Sequence, residues 1–98
     1  MTITVTRNDT ASRYEATLDG QLAGFIDYRL RDGEVTLIHT ETLVGFEGRG
    51  VGSTLARAAL DDIRARGETA LVLCPFILSW LARHPDEYAD VVGGSGQD

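Results

Sequence analysis

The stretch Glu47-Gly48-Arg49-Gly50-Val51-Gly52-Ser53 concentrates more potential chemistry than any other part of the chain. It separates an alternating segment from one of helical period, so it reads as the loop that opens a helix. Backbone N–H groups at a helix start have no intrahelical acceptor, and with the helix dipole they form a site for an anion. Glycines at 48, 50 and 52 let a bulky phosphate approach the backbone without meeting a Cβ. Arg49 adds a fixed cation, and Ser53 or Thr54 a hydroxyl donor. Two phosphate motifs are excluded. A Walker loop ends in Gly-Lys-Ser/Thr, and this sequence contains no lysine. A dinucleotide fingerprint follows the first strand of a βαβ unit, and its third glycine falls one residue later than Gly52.

Other reactive side chains cluster on either side of this loop. His39 and Glu41 flank Thr40 near the end of the strand that leads into it. Alternate residues of a strand share a face, so the two point the same way. They form either a general base beside the anion site or a solvated polar strand end. Cys74 closes an apolar run just before Pro75. It is either a small buried hydrophobe or a thiolate at a cleft edge, its pKa lowered by the start of the next helix. His84, before Pro85, fits an exposed helix end, and Tyr88 either packs or donates a proton. His39, His84 and Cys74 share no metal-ligand spacing, so no metal site is expected.

These groups must be positioned by the elements around them. Ile3, Val5 and Arg7 alternate with threonines, and Tyr14–Leu18 reads as a second strand closed by Asp19-Gly20, a strong hairpin signal. Gln21–Leu30 forms a third strand, with Phe25 and Ile26 near its centre. Arg31-Asp32-Gly33 turns the chain into a fourth, Glu34–Thr40. From Gly45 the period changes: Val51, Leu55, Ala58, Ala59 and Ile63 predict a helix from about Gly50 to Arg66, with Gly67 just past its end. Thr69–Cys74 is almost uniformly apolar and predicts a buried strand, parallel to the one before the helix because a crossover of this length joins them. Pro75 starts a second helix, Phe76 to about His84, with Phe76, Ile77, Trp80 and Leu81 on its apolar face. The order is four strands, helix, strand, helix. Residues 1–92 are expected to form one domain, and 93–98, with no apolar anchor, a flexible tail.

Composition bounds the partners. The 98 residues carry a net charge of −6 with 43% hydrophobic and 24% charged residues, the profile of a single globular domain. An acidic chain without a basic stripe is a poor partner for a phosphate backbone, so no nucleic acid is expected. The absence of lysine removes Schiff-base and lysine-base chemistry. No apolar run approaches the roughly 20 residues that span a bilayer, and the lone cysteine forms no internal disulfide. The expectation is a reduced, cytoplasmic protein that meets no membrane. It is a monomer or a weak homodimer, with Trp80 and Leu81 on the one helix that could offer a dimer face.

Taken together, the sequence resembles the short, single-domain branch of the GNAT-type N-acetyltransferase superfamily. His39-Thr40-Glu41 resembles the polar end of that branch's fourth strand, and Glu47 to Ser53 running on to Leu55 resembles its CoA loop and helix. Cys74-Pro75-Phe76, with Arg83-His84-Pro85 and Glu87-Tyr88, resembles its last strand and closing helix. The resemblance implies an α+β fold: a mixed sheet with a four-strand antiparallel meander, a central CoA-binding helix, a parallel fifth strand and a closing helix. It implies acetyl-CoA as cofactor, its pantetheine pairing with backbone near Leu43 and Val44. The pyrophosphate would lie on Gly48, Arg49, Gly50, Val51, Gly52, Ser53 and Thr54. The thioester would lie near Cys74, with Phe76, His84 and Tyr88 around the cleft that takes an amine acceptor. Glu47 departs from the Gln or Arg usual in the wider superfamily. Two mechanisms stay open. In one the amine attacks directly with Glu41 or His39 as base; in the other Cys74 accepts the acetyl group first. A CoA-binding module with little catalysis and a structural domain whose glycines serve only the turn are the rival readings.

Overall fold

The computed structural model describes residues 2–92, and the tail expected over 93–98 lies outside them. The elements are β1 (Ile3–Asn8), β2 (Arg13–Leu18), β3 (Gln21–Arg31), β4 (Glu34–Thr42), α1 (Val51–Ala65), β5 (Thr69–Val72) and α2 (Pro75–Ala82). One mixed sheet runs β1-β2-β3-β4-β5, antiparallel through β4 and parallel between β4 and β5. Both Asp-Gly hairpins form as expected, with positive φ at Asp19, Gly20, Asp32 and Gly33, the geometry that matches the twist of the flanking strands.

α1 lies across one face of the sheet and buries Val51, Leu55, Ala56, Ala59, Leu60 and Ile63. Each of the larger aliphatic side chains contributes about 1.5–3 kcal/mol on burial. The stripe expected from sequence included Ala58. It stands instead at the rim of the buried face, and Ala56 and Leu60 complete the stripe. The helix stops in a paired cap, with Glu68 N–H on the Ile63 carbonyl and Gly67 N–H on the Arg64 carbonyl, both at 3.0 Å. α2 packs Ile77 and Trp80 into the same core, which Tyr88 and Val91 extend. The Val91 carbonyl accepts the Ala70 N–H (2.9 Å), so the C-terminal segment covers part of the outer edge of β5.

Two local irregularities shape β4. Its register with β3 shifts between Asp27↔His39 and Tyr28↔Leu37, which leaves Ile38 as an extra residue. Val35 and Leu37 before this bulge are buried, and beyond it the parity reverses. Thr40 and Thr42 now pair with Ile26 and Gly24, and a Cβ built on Gly24 would meet Val51 and Leu55 of α1. Thr40 and Thr42 therefore face α1, whereas His39 and Glu41 face away from it.

The second irregularity is a parting of strands. β5 was expected to reach Cys74, yet its pairing with β4 stops at Val72. The N–H groups of Leu73 and Cys74 both converge on the Leu37 carbonyl, at 2.9 and 3.1 Å, and Pro75 then turns the chain into α2. β4 continues from Ile38 to Thr42 paired with β3 but without β5. The Leu43 N–H bonds the Ala23 carbonyl (2.8 Å), so alternation aims the backbone groups of Thr40 and Thr42 outward, into the gap.

At the opposite pole Arg7, 3% exposed, ties the sheet to the end of α1. Its guanidinium bonds Glu68 (2.7 Å) and Asp9 (2.9 Å), lies 3.7 Å from Asp62, and rests over the Tyr14 and Tyr28 rings.

Candidate functional site

A cleft of about 340 Å³ opens where the glycine loop meets α2. It is lined by Gly48, Gly50, Val51, Gly52 and Ser53, by Thr42, Phe46 and Glu47, and by Phe76 of α2 and Arg83 just past its end. Thr54 N–H is the first to bond back into the helix, on the Gly50 carbonyl (3.0 Å), so the N–H groups of Val51, Gly52 and Ser53 precede the ladder. No side chain caps this end, and no acid sits in the first turn. The positive end of a 15-residue helix thus has neither a side-chain cap nor a first-turn acid.

The local backbone explains why glycine is used here. Gly48 and Gly50 both adopt φ of +77°, so the loop turns sharply twice before α1 begins. Alternation of this kind aims successive N–H groups into one concavity. Gly52 serves packing instead: a Cβ there would lie 2.8 Å from the Phe76 ring, which rests on the first turn of α1. Ser53 is held by Trp80, whose indole N–H donates to its Oγ at 2.8 Å and leaves the hydroxyl hydrogen to be donated elsewhere.

The residues singled out from sequence divide into groups. Gly48, Gly50, Val51, Gly52, Ser53 and Phe76 meet in the cleft. Arg49 is exposed between the two left-handed glycines, outside the cleft lining. Thr54 lines a neighbouring depression with Ser53, Arg57, Ala58 and Asp61. Leu43 was expected to offer its backbone to a ligand, but its N–H is taken by Ala23 and its carbonyl accepts the Phe46 N–H (3.0 Å). Val44 is 91% exposed.

His39 and Glu41 do share a face, with His39 Nε2 3.2 Å from Glu41 Oε1, and both are about half exposed. They stand across the sheet from the cleft, and the gap beside β4 lies between. Cys74 is buried at the start of α2, its Sγ 3.3 Å from Thr40 Oγ1 on the α1 side of that gap. His84 stacks on Trp80 with 4.0 Å between ring centroids, and its Nδ1 lies 2.7 Å from the Trp80 carbonyl, at the negative end of α2. Tyr88 is buried and donates to Asp61 (2.7 Å). Burial, then the Asp61 carboxylate, push its hydroxyl up to about 12. His84 and Tyr88 line a separate hollow with Leu81, Pro85, Ala89 and Val92, away from the glycine loop.

The structure adds Thr42, Phe46 and Arg83 to the cleft. Nothing local assigns them to the cleft: Thr42 faces α1 because of the bulge, and Arg83, in sequence part only of the closing-helix resemblance, arrives through the packing of α2. Among the described residues no group of His, Cys, Asp and Glu side chains is placed to hold a metal ion, and no helix is long and apolar enough to cross a membrane.

The meander, the parting of β4 from β5 and the glycine turn into α1 together define an acetyltransferase-type fold. Residues 13–91 match the family described as GCN5-related N-acetyl-transferase, and the chain belongs to that family. A GCN5-like putative N-acetyltransferase from Staphylococcus aureus superposes with a TM-score of 0.64 at 22% identity, over 93% of this chain and 88% of its own. The ribosomal-protein-S18-alanine N-acetyltransferase from Escherichia coli gives 0.56 at 21% identity, over 61% of this chain. Ard1 from Thermoplasma volcanium gives 0.53 at 25% identity, over 62%. The chain spans only 39% of the length of the E. coli enzyme and 43% of that of Ard1. A comparison with curated proteins gives no match.

Proposed function

We propose that this domain transfers an acetyl group from acetyl-CoA to an amine. The observation that carries the reading is the uncapped start of α1, with three free-standing N–H groups and the oriented Ser53 hydroxyl inside a cleft. That donor set fits a pyrophosphate, and the Phe76 ring offers an apolar wall beside it. The outward backbone of Thr40 and Thr42 fits an extended amide-bearing arm, as a strand edge would. Bound there, acetyl-CoA supplies an activated acyl carbon and a thiolate leaving group.

The chain's own residues then divide the work. The cleft on the α1 face anchors, and the gap beside β4 leads toward the face that carries His39 and Glu41. The Glu41 carboxylate, with His39 Nε2 beside it, is placed to accept the proton that an attacking amine must lose. An outward N–H of Thr40 or Thr42 is available to the carbonyl oxygen as negative charge develops. Direct attack is favoured over a cysteine relay, because the Cys74 thiol is buried and engaged with Thr40 whereas the His39–Glu41 pair is open. Cys74→Ser should leave turnover within about twofold, whereas a relay would lose several orders of magnitude with its nucleophile.

The test of the anchor is calorimetric titration with acetyl-CoA of the native chain and of Gly50→Asp. Asp tolerates positive φ better than most residues, and a Cβ at Gly50 meets nothing within 4 Å, so the variant should fold. Its carboxylate would stand at the start of α1, where the phosphates are proposed to bind. Saturable binding lost in Gly50→Asp supports the reading. No binding by the folded native chain refutes it and leaves the glycines as a turn.

A further inference from the structure

We infer that Arg83 is an anion-binding residue of the glycine-loop cleft, supplying from α2 a cation for the phosphates of the donor. The inference rests on the acetyl-CoA reading above and extends it to a residue that the glycine loop does not contain. Arg83 caps the C-terminal end of α2 and lines the cleft opposite Gly48, Gly50 and Ser53. Phe76, seven residues earlier, lines it too, so one face of α2 presents a ring and a guanidinium to the same space.

Among the described residues Arg83 shares with Arg29 and Arg31 the lack of a carboxylate partner, and of these three it alone lines the cleft. Arg7, Arg13, Arg57, Arg64 and Arg66 each pair with a carboxylate. Arg83 pairs with none among the described residues; its Nη1 donates to Ser79 Oγ at 3.3 Å, which leaves most of its five N–H donors available. Its position is nonetheless defined. The Arg83 N–H bonds the Trp80 carbonyl (3.1 Å), and Trp80 in turn donates to Ser53 on the first turn of α1. The Arg83 backbone is therefore tied, through one tryptophan, to α1, whose first turn lines the same cleft.

Charge gives this placement its consequence. Glu47 lines the same cleft, its carboxylate accepting the Gly45 N–H at 2.9 Å. Glu47 and Arg83 are the ionisable side chains of the lining, and they cancel. Without Arg83 the cleft of a chain of net charge −6 would meet a polyanion with a net negative wall. The two residues should then act on affinity with opposite sign.

The experiment is titration of CoA and dephospho-CoA into the native chain, Arg83→Gln, Arg83→Lys and Glu47→Gln, with Arg29→Gln as a control outside the cleft. Arg83→Gln should weaken CoA about tenfold, the scale of one hydrogen bond to a charged group. Arg83→Lys should recover part of the loss, Glu47→Gln should tighten binding, and Arg29→Gln should change nothing. All the differences should shrink near 1 M salt, where screening acts within about 3 Å. A loss shared by both ligands assigns Arg83 to the pyrophosphate, and a loss confined to CoA assigns it to the ribose phosphate. If the native chain binds CoA, Gly50→Asp does not, and Arg83→Gln binds like the native chain, the role of Arg83 is refuted while the acetyl-CoA reading stands. If the native chain binds no CoA, both fall.

Discussion

Gly24→Ala should destabilise the fold and weaken the cleft together. A Cβ at this position would lie 2.6 Å from the Glu41 carbonyl oxygen, 2.9 Å from Val51 Cγ1 and 3.4 Å from Leu55 Cδ1. The first contact is with backbone that β3 holds in register, so relief requires β4 or α1 to move rather than a side chain to rotate. Overpacking of this kind costs about 1–3 kcal/mol, and the rigid partner favours the upper half. Against it stands about 0.4–1 kcal/mol gained from restricting the unfolded chain. The net expectation is a loss of about 1–2.6 kcal/mol, and each kcal/mol lowers the melting temperature of a domain this size by about 4–8 °C. Urea and thermal denaturation measure it directly. Because Val51 opens α1, the same displacement should also weaken binding of acetyl-CoA. A Gly24→Ala protein as stable as the native chain would refute the packing argument at the point where sheet, helix and glycine loop meet.

Other perturbations separate the two ends of the molecule. Arg7→Ala should cost about 2–3 kcal/mol, at or just under the low end of the range for breaking a buried pair because Glu68 and Asp62 keep some water, and affinity for acetyl-CoA should not change. Asp9 is held below the ordinary carboxylate range by the Tyr28 hydroxyl and then by Arg7, and Glu15 by Arg13. A folded pKa below the unfolded value stabilises above that value and is lost as pH falls through the folded one. The urea midpoint should therefore hold at neutral pH and drop below about pH 4. Trp80→Phe removes the indole donor to Ser53, and should cost about 1 kcal/mol in stability and weaken acetyl-CoA binding. A variant with unchanged affinity would show that Ser53 needs no positioning.

The order of elements, both hairpins and the parallel fifth strand were legible because they depend on local signals: alternation, Asp-Gly turns and a change of period at Gly45. The anion-ready start of α1 was legible for the same reason, since an uncapped, glycine-rich helix entry is written in consecutive residues. What was not legible depends on residues far apart. Gly24 reads as an ordinary strand glycine until Glu41, Val51 and Leu55 converge on it. Arg83 stands in the sequence only within the closing-helix resemblance until α2 is laid beside the glycine loop. That the Leu43 N–H is engaged by the Ala23 carbonyl follows only from the register of β4 on β3. The shared face of His39 and Glu41 followed from strand periodicity, but which face it would be depended on a bulge that no residue type announced.

That bulge makes β4 a strand with a phase. The residues before Ile38 and those after it obey the same period of two, offset by one position, and both halves keep their faces because the pairing slips past Ile38. Ile38 is partly exposed, and its side chain matters less than the peptide unit it inserts. Ile38→Ala should be nearly silent. Deleting Ile38 would make the ladder regular, with His39 still opposite Asp27, Thr40 and Thr42 still toward α1, and His39 and Glu41 still on the far face. Pairing straight through Ile38, with the residue kept and the slip removed, would instead turn His39 and Glu41 inward and exchange the polar and buried faces of the whole segment.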